Sequence, residues 1–313
     1  MKLVSIPGNP VPDDVVTGEI TTPDGVELRF ARWDSPASGK GTVCVFTGRS
    51  EFIEKYFETV RDLRKRGFAV ATMDWRGQGH SSRQLPDSLK GHVEGFSDFE
   101  IDVETFMQRV VVPHCPPPYF ALAHSMGGAV LLRSAHSGKR WFERTIVVAP
   151  MIDFPRARAS LPLRILMRAL RLAGFGTSYV PGSNVDRARA SGFPGNPLTS
   201  DAARYARNAG IVEADPALGI GSPTVAWLDA AFDTMVAFRA ADYPSQIDQT
   251  ILMVAAGGDT IVSGAAIKGF AARLPAGSYR LIEGARHEIL QEQDAYRWQF
   301  WAAFDAFVPG TSI

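Results

Sequence analysis

Apolar residues recur along this chain in two rhythms. Short unbroken apolar runs occupy residues 42–46, 68–73, 145–148 and 250–255. Runs of this kind suit strands buried on both faces, as in a parallel sheet. Residues 16–21, 26–33 and 278–282 are also strand-like, and Pro23-Asp24-Gly25 predicts a hairpin turn between the first two. Between the runs, apolar positions take helical spacing. Residues 53–66 predict a helix closed by Gly67 at the C′ position. Phe99, Val103, Phe106, Met107 and Val110 mark another, with Ser97 and Glu100 as its capping box and Pro116-Pro117-Pro118 as its stop. Residues 223–240 and 294–308 predict two more. Strands alternating with helices mean an α/β fold, a mostly parallel sheet covered on both faces.

The rhythm breaks at about 151–222. Arginine, proline and glycine are dense there, and no strand-like run appears. This reads as a helical lid inserted into one domain, whose core is 1–150 and 223–313. Within it Leu163, Leu166, Met167 and Leu170 fall at i, i+3, i+4, i+7 and predict one apolar helix face. Arg164, Arg168 and Arg171 predict a cationic one. From Met151 to Phe175, arginines 156, 158, 164, 168 and 171 stand against Asp153 alone. A cationic amphipathic helix suits peripheral contact with an anionic membrane. It equally suits a lid that packs over a pocket with its arginines solvated or paired.

Composition narrows the classes. The 313 residues carry 33 basic and 33 acidic side chains, and 45% are hydrophobic. That is enough for a full core in one large domain. The zero balance argues against nucleic acid as a partner. Two cysteines, Cys44 and Cys115, are too few for a disulfide framework. The opening Met1-Lys2-Leu3-Val4-Ser5-Ile6-Pro7 meets Pro10, Pro12, Asp13 and Asp14 too soon for a signal peptide. No apolar run approaches the ~18 residues of a membrane span. The expected location is the cytoplasm, with peripheral contact at the inner membrane face.

The candidate chemistry centres on Ala123-His124-Ser125-Met126-Gly127-Gly128. A short apolar strand precedes it and a helix-like stretch follows. A serine on a tight strand-to-helix turn is the setting of a nucleophile elbow. Small residues at Ala123 and Gly127 keep Cβ atoms clear of the crossing. The usual pattern is G-x-S-x-G, and Ala123 replaces its first glycine. The bland alternative is a serine that caps an ordinary helix.

Such a serine needs a base, and the base needs an orienting acid. Only His136 and His287 follow Ser125 among the six histidines. His136 lies eleven positions on (136 − 125), on the helix that leaves the turn, roughly 16 Å away at ~1.5 Å per residue. His287 follows the strand 278–282 through a short loop, at the same sheet edge as the serine. Asp259 follows the strand 250–255 and is the preferred acid. Glu283 is only four residues before His287 (287 − 283), and Asp229 sits mid-helix. The oxyanion hole requires two amides. Met126 supplies one, and Arg49, in the loop after the strand 42–46, supplies the other. Gly77-Gln78-Gly79 has a glycine spacing that invites a dinucleotide reading, but Ser82 holds the third glycine position and no helix opens there. Asp74 and Arg76 in this segment are read as structural ties between strands.

Taken together, Phe46-Thr47-Gly48-Arg49-Ser50-Glu51, Asp74 to Ser81, Gly91-His92-Val93, Ala123 to Gly128, Gly258-Asp259 and Gly284-Ala285-Arg286-His287 resemble the α/β-hydrolase superfamily. They are most similar to its branch of bacterial lysophospholipases and monoacylglycerol lipases, the serine-aminopeptidase-like hydrolases. Asn196 to Ser200, Arg204-Tyr205 and Gly221-Ser222-Pro223-Thr224 also resemble the lysophospholipase branch. One departure is Thr47-Gly48, where many relatives carry His-Gly. The resemblance implies an α/β-hydrolase fold and a serine ester hydrolase that cleaves a mono-acylated lipid through an acyl-enzyme, with Ser125, His287 and Asp259 as its triad. That chemistry needs no metal or cofactor. A short-chain esterase or peptidase of the same fold is the alternative. A catalytically idle binding protein is the reading from another class, and the intact triad positions argue against it.

Overall fold

The computed structural model describes residues 3–35, 39–155, 160–183 and 192–309. Eight strands form one sheet in the order β1-β2-β4-β3-β5-β6-β7-β8. In chain order they are β1 (Val15–Thr21), β2 (Glu27–Trp33), β3 (Thr42–Phe46), β4 (Ala69–Met73), β5 (Tyr119–His124), β6 (Arg144–Val148), β7 (Ile251–Ala256) and β8 (Gly277–Ile282). The β1–β2 and β2–β4 pairs are antiparallel and all others are parallel. The hairpin turn closes through Thr22 N–H to the Val26 carbonyl at 2.9 Å, with Gly25 at φ 84°.

Alternate residues of the central strands feed two cores. Val43, Val45, Val70, Phe120 and Leu122 face the side covered by α1 (Phe57–Lys65) and the last helix. Cys44, Phe46, Ala71, Met73 and Ala121 face α2 (Phe96–Phe106) and α3 (Met126–His136). Burial on both faces is why these strands read as unbroken apolar runs. The chain goes from β3 to β4 on one side and then to β5 on the other, so the order reverses between β3 and β5. Crevices open at the carboxyl ends of strands at such a reversal. The loops after β3 and β5 flank it.

Two local expectations are corrected. The capping box of α2 is not Ser97 with Glu100. The helix starts two residues earlier, and the Gly95 N–H reaches Asp98 Oδ2 at 3.3 Å. Glu100 instead pairs with Arg133 at 2.7 Å, across to α3. The helix expected at 53–66 opens as a 3-10 turn, Ile53–Tyr56, before α1. Gly67 closes it with φ 92°, as expected.

Among the described residues no strand lies between β6 and β7. That stretch holds α4 (Leu161–Leu170), α5 (Ala202–Ala214) and α6 (Val225–Arg239), followed after β7 by α7 (Gly264–Ala271) and finally α8 (Asp294–Phe307). The α4 helix is rotated from the expected setting. Met167 is buried, and Leu163 and Leu170 pack against the core, but Leu166 turns outward beside Leu161 and Ile165. The cationic face is largely paired. Arg168 bonds Asp229 at 3.1 Å and also Asp233, and Arg171 bonds Asp229 at 3.1 Å and Glu94 at 3.0 Å. Arg156 and Arg158, counted in the local charge excess, lie outside the described residues. Asp74 and Arg76 tie the fold as expected: Asp74 takes Arg29 Nε at 2.6 Å, and Arg76 holds Asp24 and Asp102, each at 2.7 Å. No helix among the described residues is long and apolar enough to cross a membrane.

Candidate active site

Ser125 sits between β5 and α3 at φ 48°, ψ −110°. A non-glycine side chain rarely takes that conformation, and the surroundings enforce it. The Ser125 N–H donates to the Val148 carbonyl at 3.0 Å, and the Ser125 carbonyl accepts from Met151 N–H at 3.0 Å. A Cβ at Gly127 would come within 2.6 Å of the Thr47 carbonyl oxygen, and one at Gly128 within 2.9 Å of Pro150. Glycine is therefore required for α3 to approach the neighbouring strands so closely. Ala123, at the place of the usual first glycine, is buried inside β5 without conflict.

The three residues singled out in the sequence meet at the sheet edge. Ser125 Oγ lies 3.0 Å from His287 Nε2, and His287 Nδ1 lies 2.7 Å from Asp259 Oδ2. The other carboxylate oxygen of Asp259 accepts from the amides of Ile261 at 2.7 Å and Val262 at 3.1 Å. Burial works to raise the Asp259 pKa. The His287 ring and the two amides outweigh it and hold the carboxyl below its ordinary value. The competitors are elsewhere. Asp229 is taken by Arg168 and Arg171. Glu283 lies against Gly257, and His136 stacks on Tyr243 at 3.7 Å.

Arg49 and Met126 stand on either side of the serine, one after β3 and one opening α3. Among the described residues no acceptor takes the main-chain N–H of either. The preceding amide, Gly48, is held by Glu51 Oε2. Ser50 has φ 62°, and its N–H donates to Gln78 Oε1 at 2.6 Å. Thr47, in place of the usual histidine, is fully buried and its carbonyl accepts from Trp75 Nε1 at 2.8 Å.

Behind the serine lies a buried network that the sequence reading missed. Glu51 accepts from Lys55 Nζ at 2.8 Å and Tyr56 Oη at 2.7 Å, and its Oε2 lies 3.1 Å from His124 Nδ1. Lys55 also bonds Glu288 at 2.7 Å, and His124 Nε2 lies 3.2 Å from the His287 carbonyl. The network thus joins the loop after β3, the residue before the nucleophile and the loop of the base. Burial opposes the charges on Glu51, Lys55 and His124. Lys55 and His124 nevertheless hold Glu51 well below the carboxylate range, and Glu51 holds His124 above the histidine range. The available signal was Glu51 and Lys55 at i, i+4, an ordinary helix-surface pair until the fold buries it.

A cavity of about 510 Å³ opens beside Ser125 and His287. Apolar residues of the 151–222 stretch, among them Met151, Phe154, Leu198 and Ile220, line it together with Trp227. Arg49, Glu51, Lys55 and Glu288 contribute its charges.

The profile of the family described as "Serine aminopeptidase, S33" matches residues 37–294. The chain belongs to this family. Within reach of this α/β-hydrolase chain is "Lysophospholipase L2" of Escherichia coli (strain K12), 33% identical over 290 residues, which cover 89% of this chain and 83% of that one. Among solved structures, a soluble variant of monoglyceride lipase from Saccharomyces cerevisiae with a substrate analog aligns at TM-score 0.74, with 21% identity and 95% of each chain covered. A thermostable carboxyl esterase from Bacillus coagulans aligns at TM-score 0.78, with 19% identity over 96% of this chain and 99% of that one. These two share the fold with this α/β-hydrolase.

Proposed function

We propose that this protein is a serine ester hydrolase that cleaves the acyl ester of a mono-acylated lipid, a lysophospholipid or a monoacylglycerol. The observation that carries the reading is the hydrogen-bonded series from Ser125 Oγ through His287 to Asp259, opening onto a deep, largely apolar cavity. Ser125 attacks the ester carbonyl as His287 Nε2 takes its proton. Asp259 holds the ring in the needed tautomer and stabilises the imidazolium. The amides of Arg49 and Met126 point at the carbonyl oxygen as it becomes an oxyanion. His287 returns the proton to the leaving glycerol oxygen. Water then gives a proton to the same nitrogen and adds to the acyl carbon; the bond to Ser125 Oγ breaks as His287 returns that proton to Oγ, and the fatty acid leaves. Kinship with proteins named lysophospholipase supports the lipid substrate.

A peptidase of the same fold is the second reading. An aminopeptidase needs a free carboxylate for the substrate ammonium. The two carboxylates lining this cavity, Glu51 and Glu288, are both bonded to Lys55. That disfavours it.

The described residues between 151 and 222 form the roof of the site in this proposal, and α4 gives peripheral contact with an anionic membrane. Because Arg168 and Arg171 are paired, the contact falls chiefly to the exposed Leu161, Ile165 and Leu172, with Arg164 and residual charge assisting.

The test is a panel of lysophospholipids, monoacylglycerols, short-chain esters and aminoacyl amides, with wild type and Ser125→Ala. Wild type is expected to prefer a long-chain mono-acyl ester, and Ser125→Ala to lose on the order of 10⁶-fold in kcat. Residual turnover within tenfold of wild type would sink the nucleophile, and a preference for the amides would sink the ester reading.

A further inference from the structure

Arg49 is the one residue here with two chemistries. Its main-chain N–H is the proposed oxyanion donor, and the residue lines the cavity beside Trp227. The guanidinium lies 5.2 Å from the Trp227 ring centroid and covers Gly91, where any Cβ would collide with it. Nη2 donates to the Gly221 carbonyl at 2.6 Å and Nη1 to Ser50 Oγ at 3.0 Å. Both acceptors are neutral. Nε is closed to solvent and bonds nothing.

The arginines that are buried outright are treated differently. Arg29 is shared by Glu54 and Asp74, Arg76 by Asp24 and Asp102, and Arg297 by Glu58 and Asp62. Among the described residues no carboxylate pairs with Arg49. Burial pulls its guanidinium down to about 10, so it remains charged at neutral pH. A half-buried cation with no carboxylate beside it gives up part of its hydration without a counter-charge. It is tolerable where a ligand brings the counter-charge.

We propose that the Arg49 side chain receives the phosphate of a lysophospholipid and sets a preference for phosphate-bearing mono-acyl lipids over monoacylglycerols. This rests on the mono-acyl lipid reading above. The covalent lengths are comparable: one arginine side chain separates the guanidinium from its own amide, and one glycerol backbone separates the phosphorus from the ester carbon. A planar guanidinium matches phosphate with paired hydrogen bonds. The two cavity carboxylates that would repel a phosphate are engaged by Lys55.

The experiment compares oleoyl lysophosphatidylglycerol with monooleoylglycerol, for wild type, Arg49→Met and Arg49→Lys. Methionine keeps the main-chain amide and the apolar stem, so the reading is the ratio of kcat/KM for the two lipids. A charge-assisted hydrogen bond predicts that Arg49→Met lowers this ratio about 10- to 100-fold, mainly through KM, with partial recovery in Arg49→Lys. A ratio within twofold of wild type, or equal losses on both lipids, overturns the assignment. A wild type that cleaves neither lipid overturns the mono-acyl reading itself. A second measurement needs no variant: wild-type hydrolysis of a neutral chromogenic ester in the presence of glycerophosphate, glycerol or inorganic phosphate. Competitive inhibition strongest for glycerophosphate is expected. Inhibition no better than by glycerol removes the phosphate site, and equal inhibition by inorganic phosphate makes it a free-anion site and overturns the lipid assignment.

Discussion

The floor and the proposed roof of the site are held by different means. On the floor, Ser125, His287 and Asp259 stand at the ends of strands in one sheet, tied by buried hydrogen bonds and backed by the Glu51–Lys55–Glu288 network. The roof is uneven. Its α5 end is fastened: Arg204 and Arg207 both reach Glu58 on α1, which Arg297 of α8 also holds, and Arg204 also takes Asp294. Its α4 end rests on α6 through Met167 and through half-exposed ion pairs, with Leu161, Ile165 and Leu172 in solvent. Geometry needed for bond-making is fixed from inside the core, whereas the α4 end of the roof is held mainly by ion pairs that water reaches. Low local stability belongs where motion is required.

The largest effect should come from the floor. Asp259→Asn should cost about 10⁴-fold in kcat, because the His287 ring loses its tautomer and its counter-charge. Glu283→Gln should stay within a few-fold. Crippling loss in Glu283→Gln with a mild Asp259→Asn would move the acid to the wrong side of His287.

The fastened end of the roof should come next. Burial favours neutral Glu58, but its three arginines overcome that and hold its carboxyl well below the usual range. A depressed carboxyl contributes stability above its unfolded value, ~4.3, and loses it as pH falls through the lower folded one. Glu58→Gln should therefore cost about 1–2 kcal/mol at neutral pH, less than a fully buried pair because water still reaches the carboxylate. Urea midpoints for the two proteins should begin to converge below about pH 4 and draw closer as pH falls further toward the folded value. A gap that does not narrow between about pH 4 and about pH 2 would mean that Glu58 acts through shape rather than charge.

The smallest effect belongs to the loose end. Leu161→Ser, Ile165→Ser and Leu172→Ser together should weaken binding to anionic vesicles several-fold at any salt. Arg164→Gln, Arg168→Gln and Arg171→Gln together should weaken it less, and only at low salt, since screening acts over about 10 Å at 0.1 M. If neither triple variant changes vesicle binding, α4 does not meet the membrane.

Much of this was legible in the sequence, for identifiable reasons. The central strands read correctly because burial on both faces leaves no alternation to misread. Ser125 and His287 came from chain order and sheet edge, and Asp259 from its place just past β7. The setting of α4 was not legible: Leu166 satisfies helical spacing as well as Leu163 does, and only the packing of α6 decides which turns inward. The α2 cap failed because Ser97 and Gly95 are both plausible starts, and Asp98 chose between them. The Glu51–Lys55–Glu288 network was invisible because Lys55 and Glu288 are 233 positions apart and meet only through strand order. The unpaired guanidinium of Arg49 was hidden similarly, since an unpaired charge is defined by every neighbour at once.

Chain order has a consequence for synthesis. Ser125 and His287 are separated by 162 positions. At the usual 5–20 residues per second, the ribosome takes roughly ten to thirty seconds to travel between them. During that interval the elbow can be folded, but its hydroxyl has no base. The histidine arrives on the loop after β8, a strand that pairs in parallel with β7 and has no hairpin to hurry it. A nascent chain thus carries an unarmed serine until the segment through His287 has emerged.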